Sequence, residues 1–467
     1  MHLHLFEKQV YADRRQVLKQ AMANEGLIVL MGNEDSSMNY KDNTYLFRQD
    51  STFLYFFGLD TPGLVAIIDT NTGEEVIFGN ELTIDDIIWT GTLPTVSEMA
   101  ARAGVSLTKP YNQVEDCING AKSNGRAVHI LPPYRPENKI KLATWLDTSL
   151  NGLAQFVSIK LIRSVIAQRV IKTPLEVAEL EKAVNISIDM ELAVIKHTRP
   201  GIKEYELVAK AHEVAIANDA RLGYPAIITT YGQTLHTHYY GNTLQEGRMV
   251  LSDIGAENNM HYGGDLTRTF PVGKSFTTRQ RELYEVVLNS MNHAIAMLHP
   301  GVRYKDIHLA AAQKLVEGLG AVGIMKGDAA GAVAAGAHTM FFQCGLGHML
   351  GMDTHDMEDL GEQYVGYTDS LKKETSVFGL KSLRLGRELE AGFVLTVEPG
   401  IYIIPELIDR WQAEKKYAEF INYDILNTYR HFGGIRIEDN FLITETGSRV
   451  LGKYLPKSLS EIEVLKG

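Results

Sequence analysis

The sequence predicts an α/β chain of two domains. Three observations carry that reading: β-type runs alternating with helix-like stretches over the first 170 residues, a capped amphipathic helix opening a second region, and an apparent repeat of that helical unit further on. In the first region a helix-like stretch at 13–24 precedes the runs GLIVLMG, GLVAIID, EEVIFG and AVHILPP. Their alternation with helices predicts a mostly parallel sheet. The boundary falls near Lys172, where Thr173-Pro174-Leu175-Glu176 reads as a helix start. Thr is the N-cap, Pro takes the first helical position and Glu closes a capping box. The domains are therefore expected at 1–170 and 171–467.

Beyond that start, Val177, Leu180, Val184, Ile188, Leu192 and Ile195 recur at three- and four-residue spacing, the mark of one buried helix face. Arg199-Pro200-Gly201 ends the helix. A second helix starts at Thr277 or Thr278, carries Leu283, Val286, Val287, Met291, Ala294 and Leu298, and ends in His299-Pro300-Gly301. After each Pro-Gly break come a β-branched residue, Ile202 or Val302, and another amphipathic stretch, AHEVAIAN or LAAAQKLVEG. Two such copies read as a duplicated α/β unit rather than a solenoid. Duplication predicts two similar sheets with a site between them.

Composition narrows the function classes. The chain has 467 residues, 45% of them hydrophobic, and a net charge of −11. It has no basic footprint, which argues against nucleic acid or an anionic membrane as partner. Cys117 and Cys344 are the only cysteines. Two distant thiols in a long chain point to a reducing compartment rather than a disulfide framework. The opening MHLHLFEKQVYADRR has charges where a secretory apolar core should be, and no run approaches the roughly 18 apolar residues of a membrane span. The expected location is cytoplasmic.

Chemistry is concentrated in five polar islands within apolar runs: LSDIG, GGDLTRTF, GLGHMLG, VLTVEPG and GGIRIEDNF, which hold Asp253, Asp265, His348, Glu398 and Glu438. A buried carboxylate is costly unless paired or bound to a cation. Four of them with one imidazole form a ligand set for two divalent ions, better suited to Mn²⁺, Mg²⁺, Fe²⁺ or Co²⁺ than to structural zinc. Two ions about 3.5–4 Å apart can share a hydroxide and clamp the tetrahedral intermediate of a hydrolysis. AENNMHYGG between Asp253 and Asp265 predicts neighbouring antiparallel strands, with Asp265, Thr267 and Thr269 on one face. Glu398 is expected at a strand end before Pro399-Gly400, and Arg436, Glu438 and Asn440 on one face of a single strand. Arg436 either pairs with a ligand carboxylate or lines the substrate pocket. His355 lies seven residues after His348 in the same glycine-dense loop.

In order along the chain, Asp253, Asp265, GLGHMLGMDTHD, TVEPG and GIRIED resemble the motifs of the pita-bread metallopeptidases. They most resemble Xaa-Pro aminopeptidase (aminopeptidase P), with Xaa-Pro dipeptidase (prolidase) a close relative and methionine aminopeptidase a further one. The segment YLFRQDSTFLYFFG at 45–58 is similar to the aminopeptidase P signature of the first domain. The resemblance covers the whole chain. It implies a mixed α/β creatinase-like N-terminal domain, concerned with oligomerisation and cleft shaping, and a pseudo-symmetric pita-bread catalytic domain. It implies metal-dependent release of the N-terminal residue from peptides with proline second, through a hydroxide bridging two ions, most often Mn²⁺. Asp253 and Asp265 would bind one ion, Asp265 and Glu438 would bridge the pair, and His348 and Glu398 would complete the second site. Glu398 would shuttle the proton to the leaving nitrogen, and His355 would hydrogen-bond the substrate or the developing oxyanion. A further family histidine corresponds to His236 or His238. Arg436 and His355 would help line the proline pocket, and a homodimer or homotetramer is expected. The alternatives are a dipeptidase and a non-catalytic peptide-binding relative, the latter at odds with a full ligand set. One departure stands out: the family often reads HGLGH where this chain has Cys344-Gly345-Leu346-Gly347-His348. Cys344 is there either as a small buried side chain or as a reactive thiol. The aromatic-rich stretch between Ile404 and Arg436, with Trp411, Tyr417, Phe420 and Tyr423, would form a cleft wall or a subunit contact.

Overall fold

The apolar runs of the first region form strands β1 (Leu27–Met31), β2 (Val65–Asp69), β3 (Glu75–Gly79), β4 (Leu107–Pro110) and β5 (Val128–Ile130), ordered β4-β3-β2-β1-β5 in the computed structural model, which describes residues 5–467. The sheet is mixed rather than mostly parallel: β1/β2 and β2/β3 are antiparallel, and β1/β5 and β3/β4 are parallel. For β2/β3 the cause is the tight turn after β2, where Asp69 Oδ1 accepts from the Asn71 and Thr72 amides at 2.9 and 3.1 Å and Gly73 has φ +81°. So short a connection can join only antiparallel strands. One face of the sheet packs Val29, Ile67 and Phe78 against Ile118, Leu142 and Trp145. The 45–58 segment supplies a wholly buried helix, Ser51–Phe57, capped by Asp50 and closed by left-handed Gly58. This unit runs to Arg169 and takes in Asp359–Tyr364; the second holds Val170–Glu358 and Val365–Gly467.

In the second unit the helix Pro174–His197 begins with the capping box of Thr173 and Glu176, and the helix Thr278–Ala296 with that of Thr277 and Gln280. Each is followed by a second helix, Glu204–Ala217 or Tyr304–Ala321. The breaks between them are closed alike. Gly201 (φ +92°) donates to the Leu244 carbonyl and Leu244 donates to that of Ile202; Gly301 (φ +86°) donates to Leu389 and Leu389 to Val302. A matching ladder at both breaks is the structural signature of an internal duplication.

The remaining strands are β6 (Arg221–Leu222), β7 (Ile227–Thr229), β8 (Met249–Ile254), β9 (Ala256–Glu257), β10 (Leu266–Pro271), β11 (Val394–Val397), β12 (Gly400–Tyr402), β13 (Gly434–Arg436), β14 (Asp439–Ile443) and β15 (Ser448–Val450). Two three-stranded antiparallel sheets result, β10-β8-β7 and β11-β14-β15, beside the pairs β12-β13 and β6-β9. The Glu438 amide joins the two large sheets by donating to the Thr267 carbonyl at 3.1 Å.

Arg436, Glu438 and Asn440 do not share one strand. β13 pairs with β12 and β14 with β11, and the chain breaks at Ile437 and Glu438 between them. The fully buried Arg268 fixes the break, donating to the carbonyls of Thr267, Glu438, Leu455 and Pro456 and to Asp439. In the stretch after Ile404 the aromatic residues pack on one another. Trp411 is 3% exposed, edge-on to Tyr417 and Phe378, with Lys416 4.2 Å over its ring. The Phe420 carbonyl accepts from Lys326, and Asn422 donates to Ile324. Trp411 is thus the centre of a local aromatic cluster on the chain's own backbone, because a ring this large gains most by burial.

Candidate metal centre

Strands β8 and β10 pair in register with Asp253 opposite Thr267, and Asp265 directly precedes β10. The two aspartates face each other across one phenol: Tyr224 Oη lies 2.6 Å from Asp253 Oδ1 and 2.5 Å from Asp265 Oδ1. A phenol carries one proton, so it can donate to only one of them. Arg436 pairs with Asp253 Oδ2, donates to Tyr402 Oη at 2.9 Å and to Thr267 Oγ1 at 3.1 Å, and is buried. Asn440 holds the Asp265 backbone, accepting from its amide at 3.0 Å and donating to its carbonyl at 2.5 Å.

The other half-site comes from β11 and the glycine-rich loop. Thr396 Oγ1 accepts from the His348 amide at 3.1 Å and donates to Glu398 Oε1 at 3.2 Å, and the Glu398 amide donates to the Leu346 carbonyl at 2.8 Å. Glycine is required at 347, where a Cβ would lie 2.2 Å from the Thr396 carbonyl and 2.4 Å from Tyr304 Oη. Across the gap, Glu438 Oε2 accepts from Thr267 Oγ1 at 2.7 Å, while Oε1 is buried with no hydrogen-bond partner among the described residues.

These contacts leave a gap shaped for a cation. His348 Nδ1 is 3.0 Å from the Met349 carbonyl, an acceptor only, so that nitrogen carries the proton. Nε2 of the neutral ring then turns a lone pair toward Asp265 Oδ2 at 3.3 Å and Glu398 Oε1 at 3.4 Å. Three acceptors facing one another need a positive charge among them. Asp265, His348 and Glu438 each bring a ligand atom within 4.8 Å of the others. Electrostatics agree. Burial pushes Glu438 well above the usual carboxylate range and raises Asp253 and Glu398, each with neighbouring carboxylates adding to it. Where no cation fills the gap, a proton on His348 Nε2 takes its place: burial raises Asp265, but the hydrogen bond and charge of the protonated ring outweigh it and hold that carboxyl low. Burial opposes protonation of His348, yet Asp265 and Glu398 raise it. Oxygen donors with one imidazole suit a divalent ion of intermediate hardness.

His355 stands edge-on to His348, ring centroids 4.4 Å apart, with Nδ1 2.5 Å from Glu358 Oε2. The His355 hydrogen bond holds Glu358 down to about 2, so that carboxylate accepts and His355 Nδ1 donates. Burial, then the neighbouring His348, keeps His355 below its usual range. His236 and His238 are both exposed; burial lowers His236, which also feels Asp253 and Arg436. Cys344 Sγ contacts Tyr402 Oη at 3.7 Å, and burial, with Glu398 adding, pushes the thiol up to about 12. It therefore stays protonated and weakly nucleophilic. Sequence reasoning missed Tyr224, Thr396 and Arg268, whose side chains hold the carboxylates or their strands. Only the excess of Thr and Arg in the apolar run LTRTF hinted at such partners.

The buried carboxylate and imidazole cluster between the two antiparallel sheets defines a candidate site for a divalent ion. The chain matches Metallopeptidase family M24 over residues 178–445 and the Aminopeptidase P, N-terminal domain, over residues 11–130. It is 31% identical to an Xaa-Pro dipeptidase of Homo sapiens, covering 94% of this chain and 88% of that protein. It is 33% identical to a probable Xaa-Pro aminopeptidase of Botryotinia fuckeliana, covering 91% and 88%. Among solved structures, aminopeptidase P from E. coli with the inhibitor Pro-Leu superposes with a TM-score of 0.81 at 29% identity over 99% of both chains. Aminopeptidase PepP of Pseudomonas aeruginosa gives 0.81 at 26% identity, over 100% of this chain and 99% of that one. The chain belongs to metallopeptidase family M24, the pita-bread metallopeptidases of aminopeptidase P and prolidase type, with their N-terminal domain.

Proposed function

We propose that this chain is an Xaa-Pro aminopeptidase, hydrolysing the bond between the first residue and a following proline in peptides. The observation that carries the reading is similarity to aminopeptidase P structures over nearly the whole length of both chains, first domain included. A second reading, an Xaa-Pro dipeptidase, is favoured by the 31% identity to the human enzyme of that name.

Asp253 and Asp265 would hold one divalent ion, Asp265 and Glu438 would bridge to a second, and His348 and Glu398 would complete it, with manganese the expected metal. Bound there, the ions supply Lewis-acid polarisation of the scissile carbonyl and of water. Glu398, the most open of these carboxylates with a side chain 18% exposed, takes a proton from the attacking water and passes it to the proline nitrogen as the C–N bond breaks. Arg436 neutralises Asp253 and keeps it turned toward Asp265; its three nitrogens are engaged, so its first work is positioning. His355 with Nδ1–H on Glu358 presents Nε2 as an acceptor, suited to an N–H of the substrate; contact with the oxyanion would require its protonated form. His236, coupled to Asp253, is the better placed of the two exposed histidines to meet substrate. The first unit would shape the cleft and support a homodimer or homotetramer.

The test is to add Mn²⁺ to chelated protein and compare an Xaa-Pro dipeptide with an Xaa-Pro tripeptide. Cleavage of the tripeptide with release of the first residue is expected. Cleavage of the dipeptide alone would replace this reading with the second, and no metal-dependent cleavage of either would end both.

A further inference from the structure

Lys172 and Asp356 form an ion pair at 2.7 Å, each side chain only 1% exposed. The pair lies outside the metal cluster and has no part in the chemistry above. Burying two charges costs more than their attraction usually returns, so a buried pair is a poor way to gain stability. Its geometry indicates another purpose. Asp356 follows His355 directly, and its amide donates to the Met349 carbonyl at 3.0 Å, closing the loop that starts at His348. Its carboxylate covers Gly351, where a Cβ would meet Oδ2 at 2.3 Å. That glycine accepts at its carbonyl from Gly263 in the turn between Asp253 and Asp265. The Lys172 amide, for its part, donates to the Gly392 carbonyl at 2.8 Å, just ahead of β11, which ends at Val397, immediately before Glu398. Lys172 therefore grips the β11 frame by its backbone and the His355 loop by its ammonium.

We propose that Lys172 is a positioning residue: through its buried ion pair with Asp356 it sets the 349–358 loop, and with it His355, in register with Glu398. The loop half of this inference stands on geometry alone, and its effect on turnover rests on the peptidase reading. Lys172→Met takes the ammonium away from a buried carboxylate and risks misfolding, so the informative variant is the neutral, nearly isosteric double substitution Lys172→Met with Asp356→Asn.

Hydrogen exchange read by mass spectrometry on full-length protein, with thermal melting and steady-state kinetics, separates the possibilities. For the double variant we expect a melting temperature close to wild type. We expect amides of 349–358 to exchange at least tenfold faster, with helix 174–197 unchanged. With an Xaa-Pro tripeptide and Mn²⁺, kcat should fall at least tenfold and KM change less than threefold. Unchanged loop exchange would overturn the proposal whatever the kinetics. A loosened loop with wild-type kcat would overturn the link to catalysis. A loosened loop in a protein whose wild type cleaves no Xaa-Pro substrate would sustain the positioning and refute the peptidase reading instead.

Discussion

Glu398 and Glu438 are both carboxylates in apolar strand surroundings, and their neighbours give them different work. Glu438 is 1% exposed, with Oε1 unpartnered among the described residues, a geometry that fits the proposed bridging role, whereas Glu398 is the more open and takes one hydrogen bond from Thr396. Glu398→Gln should lower kcat by about 10²- to 10⁴-fold, the scale of a lost general acid-base group. Steady-state kinetics alongside metal analysis will check it: kcat at the wild-type level would remove Glu398 from the proton path. Tyr224 stands behind the proposed ligands Asp253 and Asp265. Tyr224→Phe takes away the phenol between Asp253 and Asp265 and should weaken Mn²⁺ binding by roughly 10- to 100-fold, as loss of an outer hydrogen bond typically does. Titration calorimetry would detect this even in an inactive protein. In the sequence the five ligand candidates were visible because charge in an apolar run is anomalous. Tyr224, in RLGYPAI, was not, since a tyrosine there is unremarkable.

Elements bring these residues together through close backbone approach. The loop before His348 threads against β11 at Gly347, and the β8 hairpin crosses at Gly255, where a Cβ would lie 1.9 Å from the Gly264 carbonyl. Gly347→Ala must displace Thr396 or Tyr304 and so move His348 away from Glu398. The expected outcome is a folded protein with a lower melting temperature and metal affinity reduced at least tenfold, read by melting with and without Mn²⁺. Unaltered affinity would show that the loop yields without moving His348. The capped helices at Thr173 and Thr277 were legible because caps are local chemistry, and the Asp253–Asp265 hairpin because its turn and alternation are local too. The break at Ile437 and Glu438 was not. It exists because β13 and β14 pair with different strands and Arg268, 170 residues before Glu438, holds the gap, a matter of partners outside the segment. The sheet of the first unit is mixed where alternation alone predicts a mostly parallel one, for a similar reason: strand runs are local, and their direction depends on connections.

For the whole molecule, stability should follow both metal and pH. Mn²⁺ at about 100 times its dissociation constant should stabilise the fold by about 2.7 kcal/mol, and a chelator should lower the melting temperature to match. His308 and His338 set a separate dependence. Burial pushes His308 down to about 3 and His338 to about 4, and neither ring nitrogen of His308 nor Nδ1 of His338 has a partner among the described residues. Both stay neutral in the folded protein, while the unfolded chain takes up protons from about pH 6.5 downward. Unfolding is therefore favoured as pH falls through the window from about 6.5 to about 3, by about 2 kcal/mol per histidine at pH 5. Thermal melts of chelated protein between pH 7 and 4.5 will measure this, and His308→Leu should flatten the curve; an equally steep one would remove His308 from the account. By itself the sequence determined the fold class, the duplicated unit and the residue types that answer to a metal, because caps, periodicity and misplaced charge are properties of short stretches. Only the tertiary structure decided that His348 Nε2 faces two carboxylates, that Tyr224 stands between two more, and that Lys172 reaches Asp356. These are pairings across long separations, and no local pattern encodes which distant atom will share a buried space.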